Sequence, residues 1–202
     1  MRLLGIDTST ATAGIAIVDE DGRVLAEARH STAGRGADLL VAIDQVCRDA
    51  AVAPADLTAI AIGAGPGSFT GLRIGMATAK GIAFAARRPL WAVSSLAALA
   101  ADAAEQLAGQ LLLVHADGVI CAALDARRGE LFAGCYRNGA ALGPERVMPP
   151  GELAAWVAEL ARGHHPLGRK QDAVAKAARE HLPASRVEHR ADHPVDMRQQ
   201  LV

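Results

Sequence analysis

Residues 63–81 read GAGPGSFTGLRIGMATAKG, and six of these nineteen residues are glycines. Glycine at this density is typical of a backbone that holds a phosphate and of two backbones in close contact. The stretch predicts a tight turn at Gly65, Pro66 and Gly67. Either Ser68 or Thr70 can cap the helix that follows, and the start of that helix could bind an anion beside Arg73.

The glycines continue past the turn into a helix predicted over 70–86. A spacing of four residues places these small residues on one helical face: Gly71, Gly75, Ala79 and Ala83. Glycine inside a helix costs about 1 kcal/mol relative to alanine, so the stripe predicts a very close neighbour. That neighbour is either the sheet of the same lobe or a second subunit. In the second case Leu72 and Met76 extend the stripe into an interface, and phosphate binding is secondary.

Alternating patterns and turn residues around this stretch predict an α/β lobe. Three antiparallel strands are expected at 2–7, 13–18 and 23–29, followed by a buried strand at 57–62, parallel to the first, and another at 90–95. A helix over 38–51, capped by Asp38, precedes the buried strand, and an alanine-rich helix ending at Gly109 follows the last one. The helix over 38–51 would lie beside the glycine-rich helix and complete the candidate interface with Leu39, Leu40, Ile43, Val46 and Cys47.

The second half repeats one motif of the first. The segments 6–17 and 124–135 each read as an apolar strand that ends in aspartate, a short turn and a second strand with glycine. Asp7 and Asp125 occupy matching positions, which predicts duplicated halves whose hairpins face each other across a cleft. A strand over 110–118 and a helix from Pro150 are also expected, with a further helical piece over 171–182 and a polar tail beyond it.

Composition narrows the functional classes. The chain has 202 residues, 51% of them hydrophobic, and a net charge of −1, which makes tight RNA binding by the chain alone an unfavoured hypothesis. Cys47, Cys121 and Cys135 show neither a metal-binding nor a disulfide spacing, so buried thiols and a reducing compartment are expected. The sequence shows no pattern of a signal peptide or membrane helix, and a cytoplasmic protein is predicted.

Three segments resemble the TsaB (YeaZ) family: LLGIDTST at 3–10, GAGPGSFTGLRIG at 63–75 and LDARRGELFAGCY at 124–136. The resemblance covers most of residues 1–137 and departs at the insertion-like TAGRGA of 32–37 and in the C-terminal third. It implies the two-lobed fold of the actin, sugar-kinase and Hsp70 ATPase superfamily, which is RNase H-like. The lobes are expected at 1–99 and 100–202, the second being the smaller and more degenerate.

The resemblance also implies a function and partners. TsaB proteins act in forming N6-threonylcarbamoyladenosine (t6A) in tRNA, as the noncatalytic partner of the transferase paralogue TsaD and together with the ATPase TsaE. The two N-lobe helices would meet their counterparts in TsaD, or in a second copy when TsaD is absent. ATP and Mg²⁺ would be used by the complex, tRNA would be bound through it, and this chain would need no cofactor of its own.

An alternative function is a small ATPase or phosphotransferase that uses the cleft. Asp7, Thr8 and Ser9 offer a carboxylate and hydroxyls for a nucleotide, or else they satisfy the turn backbone. The second hairpin argues against this chemistry, because Glu130 would stand near the phosphate position. Two unit charges about 4 Å apart repel by about 4 kcal/mol at an effective dielectric of about 20. Arg127 and Arg128 would compensate only by pointing inward, and a hairpin turn favours water instead.

Metal-dependent peptidase and nucleophilic mechanisms find less support. The sequence lacks the His-Glu-x-x-His pattern, the helix after the glycine motif lacks histidine, and no metal site is expected. The pair His189 and His193 falls in the polar tail, and the adjacent His164 and His165 would point apart. Ser68 lies outside any Gly-x-Ser-x-Gly elbow, so a backbone-capping role is favoured over a nucleophilic one.

Overall fold

The computed structural model describes residues 1–31, 36–108 and 119–162. Two sheets, four α-helices and a short 3-10 helix over Pro54–Asp56 make up this part of the chain. The predicted strand over 110–118, the helix over 171–182, the polar tail and its histidine pairs lie outside the described residues. So does the TAGRGA segment, apart from the backbone of its last two residues.

The first sheet has five strands in the order β3-β2-β1-β4-β5. These strands are β1 (Leu3–Asp7), β2 (Thr12–Val18), β3 (Val24–Ser31), β4 (Ala59–Gly63) and β5 (Leu90–Val93). The first three strands pair antiparallel, whereas β4 runs parallel to β1 and β5 parallel to β4. The antiparallel meander and the parallel buried strand were both predicted, and both are confirmed.

Two helices pack on the first sheet and cover its apolar side. They are α1 (Gly36–Asp49) and α2 (Phe69–Ala86). Asp38 lies in the first turn of α1, so its predicted role as the cap is wrong. Ser68 is the cap of α2, because its Oγ accepts a hydrogen bond from the Gly71 N–H. At the other end Arg87 adopts a left-handed conformation with φ 52°, and its N–H bonds to the last turn.

The second sheet is built on a hairpin of β6 (Val119–Arg127) and β7 (Glu130–Arg137). The short strands β8 (Ala140–Ala141) and β9 (Arg146–Met148) pair with the other edge of β7. Helix α3 (Ser95–Ala108) follows β5 and packs on this sheet through the buried Leu96. Helix α4 (Pro150–Ala161) buries Trp156, whose ring lies 5.0 Å from the Arg146 guanidinium carbon.

The cysteines correct one expectation. Cys121 and Cys135 stand directly opposite each other on β6 and β7, with their Cα atoms 4.1 Å apart, and they form a disulfide. A separation of 14 residues gives no recognisable motif, but a two-residue turn brings such positions into register. Cys47 is a buried free thiol, and burial raises its pKa above the ordinary value. Because two of the three cysteines are paired, the cysteines no longer favour a reducing compartment.

The predicted division of the chain between residues 99 and 100 stays a prediction. That point lies within the continuous helix α3, which begins at the end of β5 and packs against β6 and β7. Among the residues that the structure describes, no helix is long and apolar enough to span a membrane.

Candidate functional site

The glycine turn packs directly on the turn between β1 and β2. The Ser68 N–H donates to the Ser9 carbonyl at 2.6 Å, and the Thr8 hydroxyl donates to the Gly71 carbonyl at 2.8 Å. The peptide bond between Gly65 and Pro66 is cis. The glycine motif and the first hairpin, predicted separately, therefore form one packed unit within a single lobe.

The small-residue stripe of α2 is the contact surface of that unit. A Cβ atom at Gly75 would lie 2.1 Å from the Thr8 hydroxyl oxygen, and one at Gly71 would lie 2.1 Å from the Thr8 carbonyl oxygen. Ala79 and Ala83 continue the buried side of the helix. Of the two neighbours left open, the structure selects the sheet of the same lobe.

Most of the residues predicted for the interface pack inside the lobe of the single chain, and their contact with a second subunit stays a prediction. The buried members are Leu39, Ile43, Val46, Cys47, Gly75, Ala79 and Ala83. Leu72 and Met76 are partly buried, and Leu40 is the exposed member, at 52%. The apolar periodicity identified a buried helix face, but periodicity does not distinguish a core from an interface.

Asp7, the carboxylate of the candidate nucleotide site, is engaged by neighbouring groups. Its Oδ1 accepts hydrogen bonds from the Ser9 N–H at 2.7 Å and the Ser9 hydroxyl at 2.5 Å. Its Oδ2 accepts from the Ser95 hydroxyl at 2.6 Å. Three of the about four lone-pair sites of the carboxylate are thereby occupied, which leaves about one, on Oδ2, for a metal-bound water.

The hydroxyls of the first hairpin are also used within the fold. Thr8 is buried against α2, and the Thr10 hydroxyl donates to the Thr12 carbonyl at 2.8 Å. Satisfaction of the turn backbone was one of the two interpretations of these residues, and the observed hydrogen bonds agree with it.

The second hairpin turns outward. Arg128 and Gly129 form its two-residue loop with φ values of 56° and 79°, as a type I′ turn requires. Arg127, Arg128 and Glu130 are exposed, which confirms the prediction that the arginines face water. Asp125 is exposed as well, and its Oδ1 accepts the Arg127 N–H at 2.7 Å.

Arg73 does not reach toward the glycine turn. Its guanidinium carbon lies 5.3 Å from the centre of the Phe69 ring, in a cation–π contact on the outer side of α2. The start of α2 is instead occupied by its own cap and by the Ser9 carbonyl. Anion binding at this helix end thus has no support from the observed geometry.

A cavity of about 530 Å³ lies between the first sheet and α3, and Leu124 is the residue of the second sheet in its wall. Its wall includes Asp7, Ser9 and Thr10 from the first hairpin, Ser95 and Asp102 from α3, and Leu124 from β6. Asp125 is absent from this wall, so the two aspartates do not face each other across the cavity. Its lining is mostly backbone and small or apolar side chains, with Glu27 and Arg29 at the β3 side.

Two features were missed from the sequence, apart from Leu40, which was among the residues predicted for the interface. Large apolar side chains are exposed on the outer sides of α1 and α2, namely Leu40 at 52%, Val41 at 65%, Phe69 at 73% and Phe84 at 88%. The second feature is a polar network in which the Glu145 carboxylate accepts hydrogen bonds from the hydroxyls of Ser94 and Tyr136. Burial raises the pKa of Tyr136 to about 12, and Glu145 adds to the rise. The phenylalanines at 69 and 84, which lie outside the small-residue stripe of α2, could have signalled the first feature.

Comparison with known proteins gives concordant matches. A family model described as TsaD, tRNA N6-adenosine threonylcarbamoyltransferase, matches residues 26–196. The tRNA threonylcarbamoyladenosine biosynthesis protein TsaB of Bacillus subtilis is 36% identical over 171 residues, which is 83% of this chain and 69% of that protein. The chain belongs to the TsaB family. The TsaB protein of Escherichia coli is 34% identical over 138 residues, or 68% of this chain and 56% of that one.

A solved structure extends the TsaB assignment to the fold. YeaZ from Pseudomonas aeruginosa superposes with a TM-score of 0.63 and 37% identity, covering 74% of this chain and 68% of that one. The α/β fold predicted for a TsaB (YeaZ) protein is thereby confirmed. This TsaB-family chain spans about 56–69% of the length of the two curated relatives.

Proposed function

We propose that this chain is a noncatalytic scaffold subunit in t6A formation, which docks and stabilises a TsaD-like transferase. The names of its relatives support the pathway, since they are called tRNA threonylcarbamoyladenosine biosynthesis proteins. The single observation that carries the noncatalytic role is the engagement of Asp7 by three hydrogen bonds inside the fold.

The outer faces of α1 and α2 are the proposed docking surface. This surface, called the helix-pair face below, consists of the exposed Leu40, Val41, Phe69 and Phe84. The two helices pack side by side on one lobe, so four large apolar side chains share one side of the molecule. Phe69 and Phe84 stand near the two ends of α2, so the surface extends along the helix. Exposed large apolar side chains on one surface are typical of protein–protein contacts.

The charged residues of the helix-pair face differ between its two helices. Helix α2 carries Arg73 and Lys80 on exposed positions and contains no acidic residue. Helix α1 exposes Asp44, in an ion pair with Arg48. A paralogue built on the same two helices, and therefore a TsaD-like protein, would offer apolar side chains of matching arrangement.

The remaining partners follow from the same proposal. A TsaE-like ATPase joins the assembly, tRNA is bound through the complex, and ATP with Mg²⁺ is used by the complex and not by this chain. A homodimer forms through the helix-pair face when the paralogue is absent. A cytoplasmic location is part of the proposal, because tRNA is modified there.

Co-purification with the TsaD-like protein of the same cell, followed by a tRNA modification assay, tests the proposal. Phe84→Asp should reduce capture and t6A formation at least about tenfold, since a buried charge costs several kcal/mol unless it is paired. Val147→Asp is the matched control, because Val147 is an exposed apolar residue, at 53%, on the second sheet. Equal losses in both variants would contradict docking through the helix-pair face.

The alternative is a small ATPase or phosphotransferase that uses the cavity at Asp7. Purified unmodified chain should show no multiple turnover of Mg-ATP. Sustained hydrolysis by the chain alone, with wild-type t6A formation in the Phe84→Asp variant, would favour the enzyme over the scaffold.

A further inference from the structure

The junction between the two sheets contains two adjacent serines with different partners. Strand β5 ends at Val93 and α3 begins at Ser95, so Ser94 is the single residue between them. The chain therefore passes from one sheet to the helix packed on the other almost without a linker. The orientation of the sheets depends on what holds this short connection.

Ser95 is tied to the first sheet. Its hydroxyl donates to the Asp7 carboxylate at 2.6 Å, and its N–H donates to the Gly65 carbonyl at 2.8 Å. The residue is 4% exposed, so water competes little for these bonds. The start of α3 is thereby fixed to the end of β1 and to the glycine turn at once.

Ser94 is tied to the second sheet. Its hydroxyl donates to the Glu145 carboxylate and accepts the Ala97 N–H at 3.1 Å, which caps α3. Glu145 lies just before β9 and also accepts the Tyr136 hydroxyl at 2.9 Å from β7. Ser95 thus bonds to the first sheet and Ser94 to the residue that precedes β9 of the second, and both serines lie at the start of α3.

We propose that Ser94 and Ser95, through Glu145 and Asp7, form a clasp that fixes the orientation of the two lobes and the width of the cavity that Asp7 and Ser95 line. Asp7 and Ser95 are part of the cavity wall, so a change at the clasp changes the cavity directly. In this role Asp7 is a positioning residue. The two ends of the clasp are the hydrogen bonds from Ser95 to Asp7 and from Ser94 to Glu145. Both have a carboxylate acceptor, and such charge-assisted hydrogen bonds are shorter and stronger than neutral ones.

Residual dipolar couplings of the ¹⁵N-labelled chain test the clasp, because they report the orientation of each sheet separately. In the wild type, amides of the two sheets should fit one common alignment tensor. The double variant Ser94→Ala/Ser95→Ala should lose this common tensor and require two. Thr58→Ala is the matched control, since Thr58 makes its hydrogen bonds to Arg2 within the first lobe, and it should keep one tensor.

The Glu145→Ala variant provides an independent test of the clasp if the double variant does not fold. Glu145 is exposed, so its removal leaves no cavity, but it abolishes the hydrogen bonds to Ser94 and Tyr136. Glu145→Gln retains an acceptor oxygen and should keep one tensor. A single common tensor in Glu145→Ala, or separate tensors in Thr58→Ala, would overturn the clasp.

Discussion

The contact between Gly75 and Thr8 leaves no room for a side chain at position 75. Its hydrogen atoms face the buried Thr8 side chain, whose hydroxyl is committed to the Gly71 carbonyl. We expect Gly75→Ala to lower the free energy of unfolding by about 1–3 kcal/mol, because the methyl group overpacks a filled core. Chemical denaturation followed by circular dichroism measures this.

Gly81 is the matched control for Gly75, since it lies on the same helix and a Cβ atom there would meet nothing within 4 Å. Gly81→Ala should raise the free energy of unfolding by up to about 1 kcal/mol through helix propensity. If the two variants shift stability in the same direction, the close contact with Thr8 is not what excludes a side chain at position 75.

Tyr136 gives a prediction in alkaline solution. It is the single tyrosine of the chain, and burial raises its pKa to about 12, above the value of about 10 in an unfolded chain. A raised pKa means that its stabilising contribution is complete below about pH 10 and is lost as pH rises toward 12. Tyrosinate absorbance at about 295 nm should therefore titrate near pH 12 in the folded protein and near pH 10 in denaturant. Coincident titrations would show that the hydroxyl is not buried.

At the scale of elements, strand and helix types were largely predictable, whereas their partners were not. The alternation in residues 2–29 and the 3.6-residue period of α1 report which side of each element is apolar. They do not report what covers it. The neighbour of Gly75 was therefore left open between the same lobe and a second subunit, and Leu39 and Ile43 were predicted for an interface although they are buried in their own lobe. The engagement of Asp7 by Ser95 depends on a fold that joins residues 88 positions apart, which no local pattern reveals.

The hairpin of β6 and β7 carries a prediction about thiols. Labelling the unfolded, unreduced protein with iodoacetamide should modify Cys47 alone, and prior reduction should raise the count to the three cysteines of the sequence. A cross-link that closes a loop of about 15 residues is worth about 3 kcal/mol in the chain-entropy model, so reduction should lower stability by that order. Three labels before reduction would contradict the pairing.

At the scale of the whole molecule, the helix-pair face predicts self-association in the absence of a paralogue. Sedimentation of the purified chain should show a monomer–dimer equilibrium, and Leu40→Asp should shift it to monomer. Val24→Asp is the control, because Val24 is exposed to a similar extent, at 55%, on the edge strand β3. Dimers that resist Leu40→Asp but dissociate with Val24→Asp would move the contact to the sheet edge.

The two tryptophans of the chain fall one in each lobe, and their surroundings differ. Trp91 on the edge strand β5 is exposed at 63%, whereas Trp156 of α4 is buried against the second sheet. Their fluorescence emission should differ in wavelength and in quenching by acrylamide, so single Trp→Phe variants would separate the signals. The chain thereby carries a native optical reporter for each half, and the melting of one half can be timed against the other without attaching any dye.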